Sequence, residues 1–342
     1  MVLFLLLWIA IAFVGIKYKN GEENPALSQK KVMALRGICA VEIMLGHIGI
    51  ATESIVLYPN RKAGILFVGI FFALSGYGLM YSITNKKNYL KEFLRKRFGK
   101  ILVPAYFIFL INLIVDSIRG RDFNNLIKAV NLKSFMEETN WYVWELLVMY
   151  IIFYICAKID KSLVKSQYLL LVFSLVFICV AFGFGIDNPW YGSTLCFWLG
   201  IFYYTQKDIL FHFFSKYAFY FTIIGSIFLT FSIGCFFVGE GIVGNLVARN
   251  CASMTFSILV IIWLHKFSIG NVVSIWLGKH SYEIFLFHPM LIDVLRPWIK
   301  NDVLYTVIIL SGTAFFAFAY RKCANLLQNL LIKSKNVKDN FA

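Results

Sequence analysis

Residues 218–238 read AFYFTIIGSIFLTFSIGCFFV, twenty-one positions without a charge. Wound as an α-helix at about 1.5 Å per residue, such a run covers the roughly 30 Å of a bilayer's hydrocarbon core. Its apolar residues are continuous rather than alternating, which argues against a barrel strand. A helix also satisfies every backbone N–H and C=O within the segment, as hydrocarbon requires. The same pattern recurs on either side, and apolar spans are predicted at 1–16, 32–51, 64–82, 101–118, 141–157, 168–186, 190–206, 218–238, 248–265, 279–295 and 303–320. The predicted fold class is all-α: a polytopic membrane helix bundle of about eleven transmembrane helices.

Composition agrees. Of 342 residues 60% are hydrophobic and only 15% charged, with a mean hydropathy of +0.73, whereas soluble domains carry roughly 25% charged residues. A net charge of +15 raises the question of nucleic acid, but the basic residues form short clusters between apolar runs, and no basic groove or nucleic-acid motif appears. Of 33 Lys and Arg, 24 fall in 17–36, 86–100, 158–165, 207–216, 266–279 and 321–338, and 9 on the alternate side. The positive-inside rule places the first set in the cytoplasm, with the N-terminus outside and the C-terminus inside a cell membrane. The seven cysteines show no CxxC and no metal-ligand spacing, so they are expected to be small buried hydrophobes.

The first span, 1–16, lacks the basic n-region and small-residue cleavage site of a secretory signal and is expected to be a retained helix. No internal repeat, low-complexity tract or terminal soluble domain is apparent, and the outer loop at about 119–140 is too short to fold alone. The expected organisation is an extra N-terminal helix and linker over 1–31, a membrane domain over 32–320, and a basic cytoplasmic tail over 321–342. Chemistry must then come from residues within or beside the membrane.

An ionisable side chain inside a span is costly and therefore a functional candidate, with a packed, hydrogen-bonded residue as the alternative. The span RGICAVEIMLGH places Arg36 and His47 eleven residues apart, nearly three whole turns, on one helix face and about 16 Å apart along the axis. A neutral histidine takes a proton from a hydroxyl, or accepts an acyl group itself. Glu42 lies about 140° around the helix from His47, and packing is its expected role. FFALSGY at 71–77 holds Ser75, Gly76 and Tyr77, ordinary components of close helix packing. RKRFGKILVPAY at 95–106 contains Arg97 and Lys100, a membrane anchor or, alternatively, an anion site. WYVWE at 141–145 puts Glu145 one turn inside an aromatic belt, and SYEIFLFHP at 281–289 supplies Tyr282 and His288.

In this order, these segments resemble the acyltransferase-3 family of membrane acyltransferases. The family's Arg-Gly … His signature is matched by Arg36, Gly37 and His47, and its Phe-Phe-x-Leu-Ser-Gly-Tyr/Phe segment by 71–77. Its basic stretch leading to Pro-x-Tyr, its Trp-Tyr/Phe opening and its Ser-Tyr-x-Ile-Tyr/Phe-Leu-x-His segment are matched at 97–106, 141–142 and 281–288. The resemblance covers about 32–320, a core of ten helices to which the N-terminal span is an addition. One departure is Arg97-x-x-Lys100 where the family pattern is Arg-x-x-Arg, which weakens bidentate phosphate recognition at the second position. The chain is also expected to carry no hydrolase-like domain of the kind fused to some relatives.

The resemblance implies transfer of an acyl group, most often acetyl, from cytoplasmic acyl-CoA to a hydroxyl of an envelope or secreted glycan or glycolipid. His47 and Arg36 are then the catalytic candidates, His47 as base or acyl carrier and Arg36 guiding the CoA arm or stabilising charge. Arg97 and Lys100 would hold the phosphates of acetyl-CoA or another acyl-CoA. Ser75, Tyr77 and Tyr282 are candidate oxyanion donors, and Glu145 and His288 candidate acceptor contacts. No metal and no nucleic acid are expected, and a homo-oligomer is left open. The rival class is a transporter or flippase for a glycan or lipid-linked precursor. Intramembrane charges suit it, but the paired repeats common in transporters are not visible.

Overall fold

The structure, a computed structural model, describes residues 1–18, 27–120, 127–128, 131–138, 141–160, 164–238 and 242–339. Among them thirteen α-helices follow in order: α1 (Val2–Phe13), α2 (Gln29–Thr52), α3 (Tyr58–Asn85), α4 (Phe93–Ile118), α5 (Leu132–Glu138), α6 (Trp141–Ile159), α7 (Ser166–Gly183), α8 (Leu195–Thr205), α9 (Lys207–Val238), α10 (Arg249–Lys266), α11 (Val272–Lys279), α12 (Ser281–Leu295) and α13 (Asp302–Asp339). Two short strands, β1 (Lys17–Tyr18) and β2 (Phe267–Ser268), pair antiparallel. Of the expected outer loop, 121–126, 129–130 and 139–140 lie outside the described residues, as do 19–26 of the expected N-terminal linker.

Eight of the described helices are long and apolar enough to cross a membrane. The expected figure of eleven counts three shorter ones as crossings: α1 has 12 residues, α8 has 11 and α12 has 15, roughly 16 to 22 Å of helix against a core of about 30 Å. Two helices run past their apolar spans. α9 starts at Lys207 rather than 218, since 207–217 holds neither Pro nor Gly and Asp208 in its first turn suits the helix dipole. α13 continues through 321–339 as helix, because those residues are mostly good helix formers without Pro or Gly. Cys39, Cys156 and Cys196 are buried as expected, but Cys179 and Cys323 are exposed on α7 and α13. On a helix with an apolar exterior, an exposed thiol is no anomaly.

The chain divides into two compact units. The first comprises Met1–Val14, Met33–Arg61 and Gly270–Ala342. Here α2 and α11 touch backbone to backbone. A Cβ on Gly37 would lie 2.1 Å from the Ser274 carbonyl oxygen, and one on Gly278 would lie 1.7 Å from that of Met33. Gly37 of the Arg-Gly pair is thus a crossing point, using the small residue that lets membrane helices approach. The α1 C-terminus is held by Asn271, whose Nδ2 donates to the Ile11 carbonyl at 2.7 Å while its Oδ1 caps α11 by accepting from Ser274 N. α12 and α13 are joined by Tyr305, whose hydroxyl donates to the Ile292 carbonyl at 2.8 Å, and by an Arg296–Asp302 ion pair at 2.9 Å.

The second unit comprises Gly15–Val32 and Lys62–Ile269. Its central crossing joins α3 and α8, where a Cβ on Gly76 would meet the Phe197 carbonyl oxygen at 2.2 Å and one on Gly200 the Ala73 carbonyl oxygen at 1.9 Å. The Ser-Gly-Tyr segment owes its glycine to this contact. The segment before α8 is fastened to α10 by Asn250, whose Nδ2 donates to the Tyr191 carbonyl at 2.8 Å, and by Ser253, whose hydroxyl donates to the Gly192 carbonyl at 3.2 Å.

The crossing makes a prediction with an internal control. Gly76→Val and Gly200→Val each lower the melting temperature and monodisperse yield in detergent, through overpacking worth about 1–3 kcal/mol or more. Gly78→Val, whose added Cβ meets nothing within 4 Å, leaves both close to wild type.

Candidate active site

α2 is unbroken from Gln29 to Thr52, so Arg36 and His47 share a face about 16 Å apart along its axis. The partner of His47 comes from α12. His47 Nδ1 lies 2.6 Å from His288 Nε2, with the rings 4.9 Å apart and inclined by 16°. The other nitrogen of His288, Nδ1, is 3.1 Å from the Ile284 carbonyl oxygen one turn back on α12. A carbonyl only accepts, so His288 Nδ1 carries the hydrogen. In the neutral pair His288 Nε2 is therefore an acceptor, and the hydrogen between the rings belongs to His47 Nδ1. That leaves His47 Nε2 with its lone pair, and among the described residues it makes no hydrogen bond. A backbone carbonyl thus sets the tautomer of one histidine, and that histidine sets the tautomer of the next. His288 is 1% exposed, which keeps water from competing for the inner bond.

The rotation of α2 about its axis has its own anchor. Glu42 accepts from the Trp8 indole Nε1 at 2.8 Å and from Asn60 Nδ2 at 2.7 Å. Asn60 also lies with its backbone against Gly46, where a Cβ would be 2.7 Å from the Asn60 carbonyl oxygen. Asn60 therefore touches α2 at Glu42 and at Gly46, one turn apart and next to His47. The packing role expected for Glu42 matches this arrangement; Trp8 and Asn60 carried no signal that would have nominated them. Arg36 also belongs to the first unit, and its Nε is buried without a hydrogen-bond partner. Tyr282 is half-buried, one turn before Phe285 on α12.

The other expected site residues belong to the second unit. Arg97 donates through Nε to the Tyr89 hydroxyl at 2.7 Å, with a second donation from its Nη2, and Lys100 is exposed one turn further along α4. Ser75 is buried. Tyr77 packs against the rings of Tyr203 and Tyr204 at 6.0 and 5.3 Å. Glu145 is fully buried; its Oε1 accepts from the Thr194 hydroxyl at 2.6 Å, and its Oε2 has no partner. Two further polar arrangements were not anticipated. The Tyr203 hydroxyl and His265 Nε2 lie 3.0 Å apart. Lys31, counted among the cytoplasmic basic residues, is 2% exposed and donates to the Leu264 carbonyl at 2.5 Å.

A family model described as an acyltransferase domain matches residues 30–322. The chain belongs to the acyltransferase-3 family, as the ordered motifs implied. It is a multi-helix membrane protein whose family activity is acyl transfer. No curated protein and no solved structure matches it.

The Glu42 anchor is testable by swapping its polarity. Glu42→Leu leaves the Trp8 N–H and the Asn60 amide without their acceptor, a loss of about 1–3 kcal/mol that a detergent melt will register. Glu42→Gln paired with Asn60→Asp restores a donor facing an acceptor and recovers most of the loss.

Proposed function

We propose that this chain transfers an acyl group, with acetyl the favoured case, from cytoplasmic acyl-CoA across the membrane to a hydroxyl of an envelope or secreted glycan. The observation that carries the chemistry is the His288–His47 hydrogen bond, with its hydrogen on His47 Nδ1 and the His47 Nε2 lone pair free. A positioned imidazole nitrogen of this kind suits general-base catalysis, which contributes typically 10²–10⁴-fold.

As base, His47 Nε2 removes the hydroxyl proton while the oxygen attacks the thioester carbonyl carbon. The C–O bond forms, the C–S bond breaks, and the proton passes from the imidazolium to the departing CoA thiolate. As carrier, Nε2 itself attacks the thioester carbonyl carbon and CoA leaves as the thiolate; the acceptor hydroxyl oxygen then attacks the acyl carbon, the bond to Nε2 breaks, and the hydroxyl proton passes to the thiolate. Both routes develop positive charge on His47, and the acceptor Nε2 of His288 keeps the Nδ1 hydrogen in place throughout. The division of roles resembles that of a triad, with an imidazole as the orienting group in place of a carboxylate.

Arg36, whose Nε lacks a partner, is proposed to stabilise the thioester oxygen or guide the CoA arm. Arg97 and Lys100 are proposed contacts of the donor's phosphates, with Lys100 acting as a point charge rather than a fork. Ser75, Tyr77 and Tyr282 remain proposed hydrogen-bond donors and Glu145 a proposed acceptor contact, on the strength of their motifs. The Lys and Arg bias supports a cell-membrane topology with the N-terminus outside, the C-terminus in the cytoplasm and donor entering from the cytoplasm.

The test uses purified chain and radiolabelled acetyl-CoA. Wild type is expected to release CoA, and His47→Ala to lose at least 10²-fold. His288→Gln, whose amide oxygen still accepts from Nδ1–H, is expected to keep more activity than His288→Leu. Label retained on wild type but absent from His47→Ala selects the acyl-histidine route over the base route. Failure of wild type to bind acetyl-CoA or any other acyl-CoA would move the transporter alternative ahead.

A further inference from the structure

Within the second unit, α8, α9 and α10 enclose a groove of about 370 Å³. Its lining is apolar apart from Thr255 and Tyr203, and the Tyr203 hydroxyl is held by His265. On α9 the wall is formed by Leu210, Phe214, Phe221, Ile224, Gly225 and Phe228. At 100° per residue these lie within an arc of about 100°, and from first to last they extend about 27 Å. The groove follows α9 for most of this length, while its walls on α8 and α10 are shorter, Leu199–Tyr203 and Thr255–Ile261. A polar ligand has nothing to bond there, whereas a hydrocarbon chain fills a space whose lining otherwise lacks contact partners.

Charge identifies the other end of the ligand. Extending the α9 stripe by one turn from Leu210 reaches Lys207, at the edge of the same arc, with its Nζ 5.1 Å from the centre of the Tyr204 ring. On α10 the stripe through Leu259 reaches Lys266 seven residues on, again nearly the same face. Lys266 Nζ lies 3.5 Å from the Ser215 carbonyl oxygen, next to the lining residue Phe214. Beyond the lining stretch on α9 and on α10, a lysine thus follows towards the same end of the groove. The adjacent acid, Asp208, projects about 100° away from Lys207.

We propose that this groove binds one acyl chain of an anionic phospholipid of the surrounding membrane, with the lipid phosphate held between Lys207 and Lys266. Basic residues at a membrane surface favour anionic over zwitterionic lipid, and the apolar stripe fixes where the chain lies. The site is independent of the acyl-transfer chemistry assigned to His47.

The test reconstitutes the full chain in nanodiscs containing phosphatidylglycerol or phosphatidylcholine with a photoactivatable diazirine in one acyl chain, and maps the labelled peptides. With phosphatidylglycerol, label is expected on the groove stripe of α9 and on 255–261 of α10, about fivefold above that on the outward face of α9 at Phe219 and Ile227. Lys207→Gln with Lys266→Gln reduces this to the phosphatidylcholine level. Leu259→Trp, which fills the groove, removes it, whereas Ile227→Trp on the outward face does not; melting temperatures confirm that each variant is folded. Equal labelling by the two lipids, label spread evenly around α9, or cross-links between two copies at the groove would each overturn the proposal.

Discussion

Hydrocarbon offers no hydrogen-bond partner, so each polar side chain inside a membrane helix finds its partner in the protein or remains costly. The internal order of each unit follows from this constraint. Glu42 is satisfied by Trp8 and Asn60, His47 by His288, and His288 in turn by the Ile284 carbonyl. In the second unit Glu145 is met by Thr194, His265 by Tyr203, and Lys31 by the Leu264 carbonyl. The interlocked glycines serve the same end, because partners with short side chains meet only where the backbones come close. Gly37 and Gly278 bring α2 and α11 together, and Gly76 and Gly200 do so for α3 and α8.

Within that framework the histidine pair has a particular property. A single histidine among apolar side chains has no fixed tautomer, and its reactive nitrogen is undefined. Two in series, terminated by a carbonyl that only accepts, have one arrangement when neutral, and it leaves the outer nitrogen of His47 unprotonated. Arg36 contributes the complementary feature, a fixed cation whose Nε is not occupied. The pair and the arginine lie in one unit, where α2, which carries His47 and Arg36, meets α11 backbone to backbone.

Much of the fold was legible because a bilayer converts composition directly into structure. Long uncharged runs such as 168–186 leave no alternative to helix, and that one falls close to the observed α7, Ser166–Gly183. The extents of α9 and α13 were less legible, since hydropathy marks where lipid contact ends and not where a helix stops. His47 and Arg36 could be singled out by their spacing within one helix, a local property, and the family motifs added weight. The pairing of His47 with His288 could not be read off, because it joins residues 241 positions apart and nothing in either segment names its neighbour. Trp8 and Asn60 were invisible for the same reason: an aromatic and an amide near a membrane boundary are unremarkable until the carboxylate they both reach is known.

The discontinuity of the first unit has a consequence for how the protein is made. Its opening segment ends at Arg61 and its closing segment starts at Gly270, so ribosomes must produce the whole second unit before the first can be completed. At about 5–20 residues per second, His47 waits roughly 12 to 48 seconds for His288. During that interval Trp8, Glu42 and Asn60 have all been made, whereas His288 and the α11 that covers Gly37 have not. At that stage α2 is a natural client for whatever shelters half-built bundles in the membrane. Premature termination between α10 and α12 yields a chain that has made most of its helices yet lacks His288, the residue that meets His47 Nδ1.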